Sequence, residues 1–351
     1  MGLLYYPIVI VGGGLSGLCA ARLLMAAGAD FLLLEARERL GGRILSVTDD
    51  GFDLGPAWFW PDMQPMVTGL IEELSLAAFP QFSDGDVMIE RAGQPLQRFA
   101  GFGQMASSFR IAGGTAKLVT ALAKALPQDR IRLSATVTSA SLQDDGVALS
   151  LGDGEAVRAG RVLFALPPRL MERTITFAPE PQTRALWRAS ATWMAPHAKF
   201  LAIYEKPFWR DAGLSGTAQS MVGPMVEIHD ASAMAGKAAL FGFIGVPAEY
   251  RQRISEDELK AHCLAQFTRL FGPEAGKPLA TFLKDWSADA LTATADDRQS
   301  GEHPSPVSQT WFDAAWENRA VMAGSETASE HPGYLEGALL AAHRAVQSVI
   351  A

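Results

Sequence analysis

Gly12, Gly14 and Gly17 follow the first short apolar run of the chain. In that spacing Gly12 permits a tight turn, Gly14 lets backbone approach a pyrophosphate, and Gly17 lets the following helix lie close on the strand. The helix start presents free N–H groups and its positive end to phosphate. Glu35 closes the next apolar run, where a carboxylate can accept hydrogen bonds from ribose hydroxyls. An acid rather than a base there disfavours a 2′-phosphate. This chemistry suits a dinucleotide. Lys199 is the second chemically suggestive position. If His197 to Tyr204 is a strand, Lys199, Leu201 and Ile203 share one face and Ala198, Phe200 and Ala202 the other. Both faces are apolar, so the ammonium is desolvated, its pKa is depressed, and it needs a partner inside the fold.

The elements that must hold these residues follow from periodicity. Pro7 to Val11 reads as a buried parallel strand, followed by a helix with Leu18, Ala21, Leu24 and Met25 on one face. Gly28 ends that helix, and Phe31 to Leu34 is a second strand, which completes a βαβ unit. A helix carrying Leu118, Leu122 and Leu126 stops at Pro127. Strands are expected at 131–133, 137–142, 147–151 and 161–166, the last stopped by Pro167 and Pro168. From Trp187 to Trp316 the chain is rich in aromatics and methionine, with strand-like runs at 200–204 and 239–246 and a helix at 256–271. A strand at 320–323 and a helix at 333–349 close the chain. The expected class is α/β: a Rossmann-type domain assembled from 1–78, 107–170 and 320–351, with an inserted α+β domain of mixed sheet from 79–106 and 171–319.

Composition narrows the function. The chain has 351 residues, 48% apolar and 19% charged, with a net charge of -8. That balance argues against nucleic acid as a partner. Cys19 and Cys263 are too few for a disulfide framework or thiolate metal site, and no histidine pair has metal-ligand spacing. No secretory signal and no apolar run long enough to span a bilayer is visible, so a soluble cytoplasmic protein is expected.

The segments beyond the first turn name the dinucleotide. Leu34-Glu35-Ala36-Arg37 leads to Arg39-Leu40-Gly41-Gly42-Arg43 and Asp53-Leu54-Gly55-Pro56-Ala57-Trp58. Gly324-Ser325-Glu326-Thr327 and Pro332-Gly333-Tyr334-Leu335-Glu336-Gly337-Ala338 stand near the end. With the run around Lys199, including Pro207-Phe208-Trp209-Arg210, and Asp285-Trp286-Ser287-Ala288-Asp289, the chain resembles the flavin-containing amine oxidase family. The resemblance implies an FAD site and a substrate domain. Glu35 would hold the adenosine ribose, with Ala36 and Gly42 also at the cofactor. Ser16, Arg37 and Arg43 would lie along the pyrophosphate, and Val137 would meet the adenine through its backbone. Gly55, Pro56, Ala57 and Trp58 would run beside the isoalloxazine. Gly324 and Glu326 would meet the ribityl or phosphate region, and Gly333, Tyr334 and Leu335 the pyrimidine edge. A helix N-terminus near Gly333 would stabilise the negative charge that collects there on reduction.

The resemblance also implies that Lys199 holds a water near flavin N5 and assists the reaction with oxygen. Tyr334 would be one wall of an aromatic cage for the amine, and Trp286 the other; Trp60, Trp209, Trp311 and Trp316 are weaker candidates. Leu291 to Asp297 lacks the cysteine and tyrosine found there in monoamine oxidases, which implies noncovalent FAD. His197, His229 and Asp230 are within conceivable reach of a substrate, whereas Arg98 and Arg110 are expected at a solvated surface. The interval from Phe79 to Ala112 is short for the family. The expected activity is oxidation of an amine to an imine by hydride transfer to flavin N5, with O2 reduced to H2O2. The alternatives are a desaturase or other C–C oxidoreductase on the same fold, and a flavin-binding protein without turnover. Oligomeric state, homodimer included, is left open by the sequence.

Overall fold

The structure, a computed structural model, describes residues 4–101, 108–298, 303–305 and 310–350. It is an α/β fold built on two large sheets. The first sheet runs in the order Thr176–Ala178, Val137–Gln143, Gly146–Leu151, Ala156–Phe164, Leu4–Val11, Phe31–Leu34 and Ile131–Arg132. Ala320–Met322 also pairs in parallel with Ala156–Phe164. Leu4–Val11 lies parallel to both neighbours, and its last four residues are buried. Strands covered on both faces read as unbroken apolar runs, which is why they were visible in the sequence.

The helices Leu15–Ala26 and Leu335–Ile350 pack together on one side of this sheet. Leu18, Leu24, Leu339 and Val346 lie in their common core. The opposite side is covered by an aromatic layer: Trp187, Phe312 and Trp316 surround Phe177, with ring centroids 5.1, 6.2 and 5.3 Å from it. Thr176–Ala178 pairs in parallel with Val137–Gln143. The first domain therefore extends beyond residue 170, and Trp311 to Trp316 belong to its core rather than to the inserted unit. The expected boundaries are corrected there, because these large rings bury against Phe164 and its neighbours, a long-range choice that local pattern does not encode.

The second sheet runs Ala280–Asp285, Ala198–Tyr204, Ala238–Ile244, Met225–Asp230, Leu214–Ser220, Asp86–Glu90 and Gln97–Phe99. All seven residues of its strand Ala198–Tyr204 are buried. One face packs on the helix Glu256–Phe271, with Phe200 and Phe267 in contact. The other face, carrying Leu201, Ile203 and Phe241, packs on Phe52 and Leu54 of the first domain. Between Phe79 and Ala112 the described residues form strands and loops only. Among the described residues no helix is long and apolar enough to cross a membrane.

Candidate active site

A cavity of about 800 Å³ lies between the two sheets and receives the Gly12–Gly14 turn from one end of the chain and Gly324 and Gly333 from the other. Of the residues singled out from the sequence, Gly12, Gly14, Ser16, Glu35, Ala36, Arg37, Gly42 and Arg43 line it. So do Gly55 to Trp58, Val137, Lys199, Trp286, Gly324, Gly333, Tyr334 and Leu335. Gly17 and Glu326 stand behind its wall. A Cβ on Gly17 would come within 1.9 Å of the Gly12 carbonyl oxygen, so Gly17 sets the approach of helix to strand. A Cβ on Gly14 would meet protein only at 4.0 Å, the Gly41 carbonyl oxygen, and would otherwise enter the cavity. The helix beginning at Leu15 has no side-chain cap and no acid in its first turn. An open glycine cradle against an uncapped helix start fits the pyrophosphate of a dinucleotide.

Around that cradle the polar groups are held by one another. Glu35 is buried; its Oε2 accepts the Gly13 N–H at 2.7 Å and its Oε1 the Arg37 N–H at 2.8 Å. Arg37 donates to Asp289 Oδ1 at 2.8 Å and to Thr292 Oγ1 at 2.9 Å. The Ser16 hydroxyl donates to the Ala323 carbonyl. Arg43 forks onto Glu326 at 2.5 and 3.1 Å and also donates to Ser325 Oγ and to the Trp193 carbonyl. Glu326 is thus out of direct reach of the cavity and acts on it by orienting Arg43.

At the other end, Gly333 has φ +84°, and a Cβ there would lie 2.5 Å from Trp193 Cβ. Its missing side chain admits Trp193, whose ring centroid is 5.9 Å from that of Tyr334 at 40°. His303 fills the space beside both rings, 4.1 Å from Trp193 and 5.1 Å from Tyr334. Trp193 and His303 were not singled out from the sequence, since both lie in irregular segments. The helix Leu335–Ile350 starts at this wall, and its early acid, Glu336, is turned away to accept the N–H groups of Met66 and Val67 at 3.0 and 2.9 Å. Trp286 lines the cavity elsewhere, its Nε1 donating to the Leu54 carbonyl at 3.1 Å. Trp60 is also on the cavity wall, whereas Trp209, Trp311 and Trp316 are core residues.

Lys199 is 3% exposed and does not snorkel. Its Nζ donates to the carbonyl oxygens of Gly55 at 2.7 Å and Asp53 at 3.2 Å, and lies 4.4 Å over the Phe241 ring and 5.3 Å over Phe243. Burial pushes its pKa down from 10.5 to about 7, with Asp53 opposing that shift and Arg110 adding to it. Asp53 is itself buried, and burial raises its carboxyl pKa against hydrogen bonds from Ser46 and Thr115. Arg110, expected at the surface, is 4% exposed. It donates to the carbonyls of Ser232 and Ala231 at 2.7 and 2.9 Å, which keeps a guanidinium inside the fold. Arg98 is exposed and pairs with Asp86 at 2.5 Å. His197 lines the cavity with its pKa lowered by burial and then by Arg251. Asp230 is buried and holds Trp209 and Arg210, whereas His229 contacts Glu227, a residue of the cavity wall that no local sequence pattern marks.

The model of a family described as flavin containing amine oxidoreductase matches residues 15–100 and 92–350. A probable flavin-containing monoamine oxidase A of Dictyostelium discoideum is 24% identical, with 98% of this chain and 97% of that protein aligned. The putrescine oxidase of Kocuria rosea is 24% identical over 82% of this chain and 83% of its own length. The first of these alignments runs over 456 positions, more than the length of this chain, so the relative carries insertions. Among solved structures, a wild-type putrescine oxidase bound to putrescine superposes with a TM-score of 0.82 at 22% identity, covering 99% of both chains. A cyclohexylamine oxidase from Brevibacterium oxydans gives 0.82 at 21% identity over 98% of both. With the family model spanning nearly the whole chain, this protein belongs to the flavin containing amine oxidoreductases and is an FAD-dependent oxidoreductase.

Proposed function

We propose that the protein is an amine oxidase that holds FAD without a covalent bond, converts an amine to an imine and passes the electrons to O2, giving H2O2. The observation that carries this reading is Lys199, a desolvated ammonium on the wall of the cavity that Gly12, Gly14, Gly324 and Gly333 also line. The flavin, when bound, supplies a two-electron acceptor for hydride from the carbon bearing the amine and a donor for O2. The chain does the rest. Gly14 and the start of the helix at Leu15 would take the pyrophosphate, Glu35 the ribose, and Gly55 to Trp58 would flank the ring system. Tyr334 and Trp193 offer aromatic faces against which an amine can be oriented. The apolar lining and the positive charge of Lys199 both disfavour an ammonium ion, so a bound amine is held in its uncharged, oxidisable form. Lys199 would hold a water or an oxygen species where negative charge develops.

Noncovalent attachment is supported by the cysteines: Cys19 and Cys263 are buried in helices, and neither lines the cavity. Both are free thiols, the state a reducing compartment maintains, and we propose a cytoplasmic location on that basis. The test is the absorption spectrum of the purified protein before and after denaturation, followed by a peroxide-coupled amine screen. Yellow colour released on denaturation and peroxide from at least one amine are expected. A colourless chain that takes up no FAD would overturn the proposal, as would a yellow one that yields peroxide with none.

A further inference from the structure

We propose that Asp53 is a positioning residue for the oxygen reaction, its carboxylate joined to Arg110 through one internal water and setting the charge that Lys199 carries. The inference rests on the oxidase reading above. It concerns groups behind Lys199, since neither Asp53 nor Arg110 lines the cavity. It starts from how Asp53 divides its atoms. Its backbone carbonyl accepts from Lys199 Nζ at 3.2 Å. Its Oδ1 accepts the Ser46 hydroxyl at 2.6 Å, the Thr115 hydroxyl at 2.7 Å and the Thr115 N–H at 2.9 Å. The Ser46 oxygen is itself committed to the Ala116 N–H at 3.1 Å. With three donors converging on it, Oδ1 is a bare acceptor. Oδ2 is buried and has no hydrogen-bond partner among the described residues.

Arg110 carries the complementary defect. Its terminal nitrogens donate to the carbonyls of Ser232 and Ala231, and the Phe79 ring lies 5.4 Å from its Cζ. Its Nε–H is buried and finds no acceptor among the described residues. The two side chains are neighbours: Arg110 is the first charge to act on the Asp53 carboxyl, ahead of Lys199, and Asp53 is the first to act on Arg110. They make no direct ion pair. Neither can swing to make one, because Ser46 and Thr115 hold the carboxylate and two carbonyls hold the guanidinium. One water, accepting from Nε and donating to Oδ2, spans a gap of about 5 Å and satisfies both atoms. Buried polar groups left unpaired are rare and costly, and a water with two or more polar partners is a common remedy.

The link decides what Lys199 experiences. Five charged groups meet at this joint: Lys199, Asp53, Arg110 on the short strand Phe109–Ile111, and beyond it Asp230, paired with Arg210 at 2.8 Å. Asp230 and Arg210 offset each other. Asp53 is then the carboxylate that favours the Lys199 ammonium, and Arg110 the cation that opposes it. A proton on Oδ2 would remove the favourable charge. The donors at Oδ1 and the water at Oδ2 oppose the burial that raises the Asp53 pKa, and so keep the carboxylate ionised.

The experiment is stopped-flow reoxidation by O2 of the FAD-loaded protein, first reduced with dithionite, from pH 5 to 9, on the native chain, Asp53→Asn and Arg110→Met. Chemical reduction makes the measurement independent of any amine. Asp53→Asn keeps the side chain's size and removes its charge, so the pH break near 7 should fall by about one unit. The charged fraction of Lys199 at pH 7 then goes from about a half to roughly a tenth, and the rate there should drop about fivefold. Arg110→Met should move the break the other way; damage to the joint alone would not shift a titration in opposite directions. A high-resolution crystal structure of the native protein should show a water within hydrogen-bond distance of both Asp53 Oδ2 and Arg110 Nε. That water and the Arg110→Met profile decide the question if the asparagine variant fails to fold. A break unmoved in both variants, a shift in the same direction in both, or no water between the two atoms would overturn the assignment. A native protein with no break near pH 7 would sink the role given to Lys199 and this inference with it, whereas a native break that ignores Asp53 would sink this inference alone.

Discussion

Lys199→Met is the most informative substitution, because the structure predicts opposite effects on stability and on oxygen chemistry. The pKa of Lys199 falls from 10.5 in an unfolded chain to about 7 in the fold. The unfolded state therefore binds more protons between those values, and stability rises with pH across that window. At and below pH 7 the full cost applies, about 5 kcal/mol at 1.36 kcal/mol per unit. Methionine fills the same strand position with no charge, but it forfeits the hydrogen bonds to Gly55 and Asp53, about 1 kcal/mol each. The variant should thus be more stable by about 3 kcal/mol at pH 6 to 7, and the advantage should vanish near pH 9. Urea unfolding of the FAD-loaded protein from pH 6 to 9.5 measures this. In stopped-flow reoxidation by O2, the native rate should fall as pH rises through about 7, where the ammonium is lost. The variant should be slow and flat with pH, with FAD affinity unchanged. A variant less stable by the same margin at every pH, or one reoxidised at the native rate, would refute the account of a costly, functional charge.

Other substitutions probe the supports of the site. Gly17→Ala places a methyl within 1.9 Å of a backbone oxygen, so FAD uptake should be lost and stability should drop by roughly 3 kcal/mol, read by absorbance and thermal melting. Arg43→Met leaves the fully buried Glu326 carboxylate without its cation, and about 3 kcal/mol of unfolding free energy should go with it in urea titration. Arg110→Met removes a cation that depresses the Lys199 pKa, so the pH break in reoxidation should move upward. An unmoved break would show that Arg110 takes no part in setting it.

Much of the fold was legible because its signals are short-range. The strand Phe31–Leu34 and the helix Glu256–Phe271 lie where the periodicity put them, since an unbroken apolar run and an amphipathic one each bury in one way. Gly12 and Gly17 were legible as a steric requirement and Lys199 as a charge between two apolar faces. The strands Leu214–Ser220 and Met225–Asp230 were not. Gly216 stands at φ +78° where the pairing of its strand slips, Gln219 is exposed, and Glu227 lines the cavity mouth, so neither strand shows a clean alternation. Arg110 was misplaced for a related reason: the carbonyls that make its burial tolerable belong to residues 121 and 122 positions away. No local pattern announces such partners.

The placement of buried charge explains why the site sits at the joint between the domains. The Lys199 ammonium comes from the second sheet, but its acceptors, the carbonyls of Asp53 and Gly55, belong to the first domain. The Arg110 guanidinium likewise lies beside Asp53 while donating to Ala231 and Ser232 next to the second sheet. Sliding one domain against the other would strand an ammonium, a guanidinium and a carboxylate in an apolar interior, each at a cost of several kcal/mol. The same groups that would serve oxygen chemistry thus fix the register of the two domains. Trp286, whose indole N–H reaches the Leu54 carbonyl from the second domain, adds a neutral bond to that joint. Lys199→Met should therefore keep the cavity's shape through Trp286 and the Phe52 and Leu54 packing, and alter its chemistry alone.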